Sequence, residues 1–257
     1  MNPQGTDLFG SAILVLAITF LFLFALDRRS KRKQHFRQIP GIMQFKRSVG
    51  EAIEQGKRIH VSLGSAGLPG ETSASALSGL GALRSIAQFS SLGDLPPEST
   101  SGNGSIALLS KETLRNSFSS FDSTQLFDPD NGRMTGVTPF SYALGTIPVI
   151  GQEKVGTNLV VGHFGPEAAY LCDAARRQNA FLLGGSDALP AQAVLYVTAE
   201  DTLIGEETFA AGAYLDKGLF QTASLRTQDV LRWVLIIIMV VSVIDKIVTS
   251  LTGRPWL

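Results

Sequence analysis

Two long apolar runs, one near each end of the chain, set the strongest limit on its architecture. No charged residue occurs from Leu8 to Leu26, and this run of about 19 residues approaches the ~20 that a helix needs to cross a bilayer core. Near the other end, Trp233–Ile244 is apolar apart from Ser242. Including the following DKIVTSL extends that run to about 19 residues, at the expense of two charges. We therefore predict N- and C-terminal transmembrane helices.

The two charges within the second run are Asp245 and Lys246. Adjacent residues on a helix point in different directions, so these side chains pair poorly within one chain. The sharper hypothesis is intramembrane pairing between neighbouring subunits of a homo-oligomer. The alternative is that both charges lie at the outer interface of the membrane.

A basic segment follows the first run directly and predicts the orientation of the chain. Its side chains are Arg28, Arg29, Lys31, Arg32 and Lys33. Positive residues flank the cytoplasmic side of membrane helices, so we expect a two-pass protein of the cell (inner) membrane, with both termini outside and the main domain in the cytoplasm. The same side chains predict contact with anionic lipid headgroups. The formal net charge of +0 gives no case for nucleic acid as a partner.

The chain divides into four predicted segments. They are a transmembrane helix over 1–27, a basic juxtamembrane segment over 28–39, a cytosolic domain over 40–225, and a transmembrane helix over 226–257. Within the domain, helical spacing over 42–53 precedes the alternating strand RIHVSL. The final third alternates regularly, with TNLVVGHF, AFLLGG and DTLIG as strands between helices. This order predicts an α/β fold with a Rossmann-like, mostly parallel sheet and flanking helices.

The middle of the domain has weaker patterns. ALSGLGALRSIAQF and KETLRNSFSSF indicate helices, and SIALLS indicates a strand. DLPPESTSGNG and FDPDNGRMTGVTP are rich in turn-forming residues and predict loops.

Ligands of parallel α/β sheets bind beyond the carboxyl ends of the strands, so the residues that follow the predicted strands are the site candidates. Ser65, His163, Asp187 and Glu206 occupy such positions. Each has a simpler structural explanation, such as a helix cap, a hydrogen-bonded histidine or a carboxylate at a helix start. GGSDA resembles a nucleophile elbow, but no histidine follows it, as that mechanism requires. With one cysteine and three histidines, no metal site is predicted, and the sequence leaves any cofactor unknown.

The final third also resembles a known family. TNLVVGHFGPEAAYLCDAA, NAFLLGG and DTLIGEETFAAGAYL, within Asn158–Leu215, are similar to an uncharacterised family of bacterial and archaeal membrane-anchored α/β proteins. The resemblance implies an N-terminal helix, a basic flank, a cytosolic α/β domain and a C-terminal helix. It implies no activity.

Two functional classes follow. The first is a self-assembling, membrane-anchored scaffold without catalysis, favoured by the two apolar ends and by the absence of a catalytic signature. The second is a sensor or enzyme for a small molecule or nucleotide, with its site at the strand ends. We favour the first, and no enzymatic activity is assigned.

Overall fold

The computed structural model describes residues 3–26, 39–90, 93, 95–119, 127–215 and 219–252. The chain forms two compact units. One, the α/β unit, comprises Phe36–Asp216, and the other, the helical unit, comprises Met1–His35 with Lys217–Leu257.

In the described part of the α/β unit, strands and helices alternate. The strands are β1 (Arg58–Gly64), β2 (Glu98–Ser101), β3 (Gly132–Met134), β4 (Val155–His163), β5 (Phe181–Ser186) and β6 (Asp201–Leu203). The helices of this unit are α2 (Pro40–Glu54), α3 (Ser73–Ser90), α4 (Gly104–Ser119), α5 (Pro139–Gln152), α6 (Ala168–Arg177), α7 (Leu189–Thr198) and α8 (Glu206–Leu215).

The strands form one sheet of order β3-β2-β1-β4-β5-β6. All neighbours pair in parallel, which confirms the predicted α/β class. This is the strand order of the doubly wound nucleotide-binding folds, in which the chain returns to the centre after β3 and continues outward in the other direction. The switch point therefore lies between β1 and β4.

Helices cover both faces of the sheet, which explains why its central strands β1 and β4 are buried along almost their whole length. One core contains Phe45 of α2, Leu83 of α3 and Leu114 of α4, packed on β1. The opposite core contains Ile150 of α5 and Leu171 of α6. α3 follows β1 on one face and α6 follows β4 on the other, the arrangement in which doubly wound sheets have a crevice at the switch point.

A charged cluster links the amino ends of the first three strands. Glu98 of β2 is buried and accepts hydrogen bonds from Arg58 of β1 (2.8 Å) and Arg133 of β3 (3.0 Å). Arg58 also pairs with Glu153 at the end of α5 (3.1 Å). Burial raises the pKa of the Glu98 carboxyl, and the two guanidinium groups oppose that rise. The cluster lies at the edge opposite the crevice, where its role is structural.

Three assignments of the middle region were wrong. SIALLS belongs to α4, where Ile106 and Ser110 are buried one turn apart while Leu108 is exposed. The predicted loop DLPPESTSGNG contains β2, whose side chains are polar yet buried by hydrogen bonds and ion pairs. FDPDNGRMTGVTP contains β3, which pairs with β2.

The helical unit contains α1 (Pro3–Leu26) and α9 (Leu219–Thr252), which pack against each other. Many of their large apolar side chains are exposed, among them Phe22, Trp233 and Ile237.

Among the described residues, no helix combines the length and apolar character needed to cross a membrane. In α9 the uncharged run between Arg232 and Asp245 is only about 12 residues, against the ~20 apolar residues required. The finding contradicts the predicted transmembrane helices and the two-pass inner-membrane location, and both predictions are corrected.

Candidate functional site

The carboxyl ends of β1 and β4 lie side by side at the switch point. Gly64 pairs with His163, and Ser65 donates its backbone N–H to the His163 carbonyl (3.0 Å). Gly64 has φ of 74°, and a Cβ there would lie 2.4 Å from the His163 carbonyl oxygen. Only glycine suits both the backbone conformation and this approach, so the turn after β1 depends on Gly64.

His163 is held by a carboxylate from the next strand. Its Nδ1 lies 2.8 Å from Oδ1 of Asp187, which follows β5. Because an ionised carboxylate only accepts hydrogen bonds, Nδ1 is the protonated ring nitrogen and Nε2 is left as the ring atom that can bind a ligand. The side chain of His163 is 37% exposed and that of Asp187 19% exposed. An oriented imidazole is therefore accessible at this edge.

A serine in the first turn of α3 completes the cluster. Ser75, in the first turn of α3, donates its hydroxyl to Oδ2 of Asp187. The Asp187 carboxylate thus accepts one hydrogen bond from His163 and one from Ser75, and these two contacts fix its position. Ser65, Ser75, His163 and Asp187 together are called the carboxyl-edge site below. The Ser65 hydroxyl donates to the His163 carbonyl at 3.4 Å, and this contact stabilises the loop that follows β1.

The loops around the site are held by buried polar side chains. Ser186 Oγ accepts the backbone N–H groups of Phe164 (3.2 Å) and Ala188 (3.3 Å), which ties the β4–α6 loop to the β5–α7 loop. Glu167 is buried and accepts the Gly165 N–H at 2.7 Å. Both residues followed predicted strands in the sequence, and both stabilise the loops around His163.

A buried chain of hydrogen bonds runs from the sheet to the Gly64 turn. His60 Nδ1 lies 2.8 Å from Asn158 Oδ1, and His60 Nε2 lies 3.1 Å from Thr100 Oγ1. Tyr142 of α5 bonds to Thr100 (3.3 Å) and accepts the Gly64 N–H (3.4 Å). Burial lowers the pKa of His60 to about 4 and raises that of Tyr142, so both are neutral near pH 7. The chain therefore supports the site without adding charge.

Of the predicted site residues, Ser65, His163 and Asp187 lie together and Glu206 does not. Glu206 begins α8 and is exposed, beyond β6, which is two strands from β4. Asp245 and Lys246 belong to α9 in the helical unit, and their intersubunit pairing stays a prediction. The basic side chains predicted to face lipid lie outside the described residues. They are Arg28, Arg29, Lys31, Arg32 and Lys33.

The sequence reasoning missed Ser75, His60 and Tyr142. His60 lies in the predicted strand RIHVSL, and the one available signal was that a strand of a parallel sheet covered on both faces is buried throughout, its polar residues included. Ser75 and Tyr142 have no comparable signal, because their roles depend on helix packing. Within the described residues, no three His, Cys, Asp or Glu side chains cluster in a way that could hold a metal ion. Cys172 is buried, and burial raises the pKa of its thiol, consistent with a core position.

Comparisons with known proteins identify one relation. No curated protein and no solved structure matches the chain. A family model described as a domain of unknown function (DUF6754) matches residues 5–256, which covers both the α/β unit and the two terminal helices. An uncharacterised family was expected from the final third, and the match extends the relation over nearly the whole length. The chain therefore belongs to the DUF6754 family.

Proposed function

We propose that the α/β unit binds a small anionic molecule, of the nucleotide or phosphorylated-metabolite class, at the carboxyl-edge site. The observation that supports this most directly is the half-exposed His163, oriented by Asp187 at the switch point of a doubly wound sheet. Such switch points are where open α/β sheets bind their ligands.

The local electrostatics favour an anion. The crevice is bordered by the start of α3, which follows the Gly64–Gly70 loop, and by the start of α6, which follows His163. Backbone N–H groups at helix amino termini carry partial positive charge and bind phosphate or carboxylate. His163 adds a side chain that can donate a hydrogen bond when protonated and accept one through Nε2 when neutral.

The oriented imidazole also has the properties of a general base. A carboxylate that fixes Nδ1–H directs Nε2 toward proton transfer, as in hydrolytic triads. Here, however, Ser75 bonds to the carboxylate and not to the imidazole, so His163 is not placed to activate Ser75 as a nucleophile. Ligand binding is thus the function that these contacts support best.

Calorimetric titration with ATP, NAD and inorganic pyrophosphate tests the proposal. We expect at least one of these probes to bind, and His163→Ala to weaken that binding at least tenfold, equivalent to about 1.4 kcal/mol. Asp187→Asn should weaken it as well, because an amide can present its NH₂ group to Nδ1 and no longer selects one tautomer.

Glu206→Gln is the matched control, since Glu206 also follows a strand but lies two strands from β4. Its affinity should equal that of the unmodified protein. Absence of binding by all three probes, or binding that His163→Ala leaves intact, would contradict the proposal.

A second candidate function is self-assembly through the helical unit. It is favoured by the row of exposed large apolar side chains on α9, which includes Leu235, Ile236 and Met239. Asp245 and Lys246 follow this row, and in the proposed assembly they pair with the opposite charges of a neighbouring copy. Burial of exposed apolar side chains of this kind between subunits is typical of permanent homo-oligomers. The function would then be that of a scaffold presenting several α/β units.

A further inference from the structure

The chain contains two Asn-Gly pairs, Asn103–Gly104 and Asn131–Gly132. A glycine after an asparagine lets the next backbone nitrogen approach the side-chain amide, because glycine has no Cβ to obstruct the approach. Asn103 lies between β2 and α4 and is partly exposed, and Gly104 is exposed. Asn131 lies just before β3 and is only 3% exposed. The same reactive dipeptide therefore occurs once near solvent and once in the interior.

Asn103 caps the amino terminus of α4. Its Oδ1 accepts the backbone N–H of Ser105 at 2.9 Å. Its main-chain carbonyl accepts the N–H of Ala107 (2.9 Å) and the hydroxyl of Ser101 (3.1 Å). These contacts fix the main chain on both sides of the Asn103–Gly104 peptide bond and keep the side-chain carbonyl beside the first turn of α4.

The first turn of α4 supplies both a nucleophile and a stabilising donor. Gly104 is the first residue of the helix, so its N–H has no carbonyl partner in the helical ladder. The partial positive charge of the helix amino terminus favours loss of that proton. When the nitrogen attacks the side-chain carbonyl of Asn103, negative charge develops on Oδ1, to which Ser105 already donates its N–H. The capping geometry therefore favours attack at this side chain.

We propose that Asn103 is a site of spontaneous deamidation. The Gly104 nitrogen gives its proton to a solvent base and forms a bond to Cγ of Asn103. The bond from Cγ to Nδ2 then breaks, the amide group takes up a proton and leaves as ammonia, and a cyclic succinimide remains. Water adds to either carbonyl carbon of the ring, which opens to aspartate or isoaspartate. In sum, one water is consumed and one ammonia is released, without an oxidant or reductant.

The two products have different effects on the loop between β2 and α4. Aspartate still offers an oxygen to the Ser105 N–H, and its charge is favourable at a helix amino terminus, so the cap is retained. Isoaspartate inserts a methylene into the main chain directly after Gly102, whose N–H donates to the Gly64 carbonyl (2.8 Å). The isoaspartate product therefore disturbs the contact between this loop and the turn that ends β1.

Asn131 should stay intact in the folded protein and serves as the internal reference. Its burial keeps water and base away, and its Oδ1 accepts a hydrogen bond from Arg58 at 3.3 Å. Gly132 belongs to β3 and is paired with Ser99 of β2, which restrains its nitrogen. Unfolding should remove this protection.

Peptide mass mapping of the full chain, incubated in mildly alkaline buffer, tests the proposal. Asn103 should deamidate at least about tenfold faster than Asn131, equivalent to a barrier lower by about 1.4 kcal/mol. In urea the two rates should become similar. The Asn103 product should include isoaspartate, the mark of a succinimide. Equal rates in the folded protein, an intact Asn103, or a product without isoaspartate would overturn the proposal.

Gly104→Ala tests the identity of the nucleophile. The added methyl group should slow deamidation of Asn103 by about tenfold, because it crowds the attacking nitrogen. The variant should fold, since a Cβ at Gly104 meets only Met134 Sδ at 3.8 Å and alanine favours a helix. Gly50→Ala, within α2, is the matched control and should leave the rate unchanged, because a Cβ there also fits without a close contact. A rate at Asn103 that Gly104→Ala does not slow would overturn the proposal.

Discussion

His60 and His163 show how position decides what the same side chain does. His60 is fully buried within β1, and its two ring nitrogens bond to Asn158 and Thr100. His163 ends β4 and is half-exposed, with one nitrogen bonded to Asp187. Burial without a carboxylate partner keeps His60 neutral, whereas the edge position makes His163 accessible to a ligand. The first histidine is therefore structural and the second is the functional candidate.

Burial of His60 predicts a pH dependence of stability. Its pKa falls from 6.5 to about 4 on folding, so between these values the unfolded chain binds a proton that the folded chain does not. The stabilisation is complete above about pH 6.5 and is lost as the pH falls toward 4, a change of roughly 3 kcal/mol at 1.36 kcal/mol per pKa unit. Urea unfolding of the unmodified protein and of His60→Gln, from pH 7.5 to 4, measures it.

His60→Gln should lower stability at pH 7 by about 1–3 kcal/mol, because Thr100 or Asn158 loses a buried hydrogen bond. The difference in the free energy of unfolding between the two proteins should then shrink as the pH falls. A difference that stays constant from pH 7.5 to 4 would contradict the neutral state of buried His60.

Part of the carboxyl-edge site could be predicted at the residue scale and part could not. Ser65, His163 and Asp187 were predicted because each follows a strand, and parallel strands end at the same edge. Glu206 met the same criterion, but β6 is the outermost strand, and strand order is not encoded in local spacing. Ser75 was missed because its contact with Asp187 depends on how α3 packs across β1 and β4.

At the scale of elements, β1, β4 and β5 were predicted correctly because they are buried on both faces and rich in apolar residues. β2 has the sequence ESTS, and its side chains are buried through polar contacts such as that between Glu98 and Arg58. Apolar periodicity cannot reveal such a strand. The same limitation made SIALLS resemble a strand, since a short apolar run does not distinguish a strand from a helix.

The turn that ends β1 gives a prediction at this scale. Gly64→Ala should destabilise the protein by about 2–4 kcal/mol, since it adds left-handed strain of roughly 1–2 kcal/mol and a contact with the His163 carbonyl. Gly56→Ala is the matched control, because Gly56 also has positive φ (63°) but a Cβ there meets nothing within 4 Å. The free energy of unfolding of Gly56→Ala should fall by only about 1 kcal/mol, because that variant has the left-handed strain alone. Urea midpoints of both variants measure the difference.

Equal losses for the two alanine variants would show that the close approach between Gly64 and His163 does not form. A larger loss for Gly64→Ala would support the contact between β1 and β4 on which the carboxyl-edge site depends.

At the scale of the whole molecule, the exposed apolar side chains of α9 predict a defined homo-oligomer. Light scattering in mild detergent should give a particle mass that is a multiple of 27.5 kDa. Replacing both Asp245 and Lys246 by leucine should lower that mass if the charges pair between copies. Asp173→Leu with Arg177→Leu, which removes an exposed pair on α6, is the control and should not change it.

A particle mass equal to that of one chain would contradict the proposed self-assembly. An oligomer whose mass is unchanged by the two leucines would retain assembly but exclude the charge pairing.

Local sequence determined the α/β class, because the spacing of apolar residues and the glycines that end strands act over a few neighbouring residues. It also determined that both ends of the chain form apolar helices, although their predicted role as membrane spans is contradicted by the described structure. Only the tertiary structure decided which strands are neighbours. Ser75 and Asp187 are separated by 112 positions, and they meet because the β1–α3 and β5–α7 connections end at one sheet edge. The physical reason is that strand order reflects the packing of the whole sheet, which no short stretch of sequence contains.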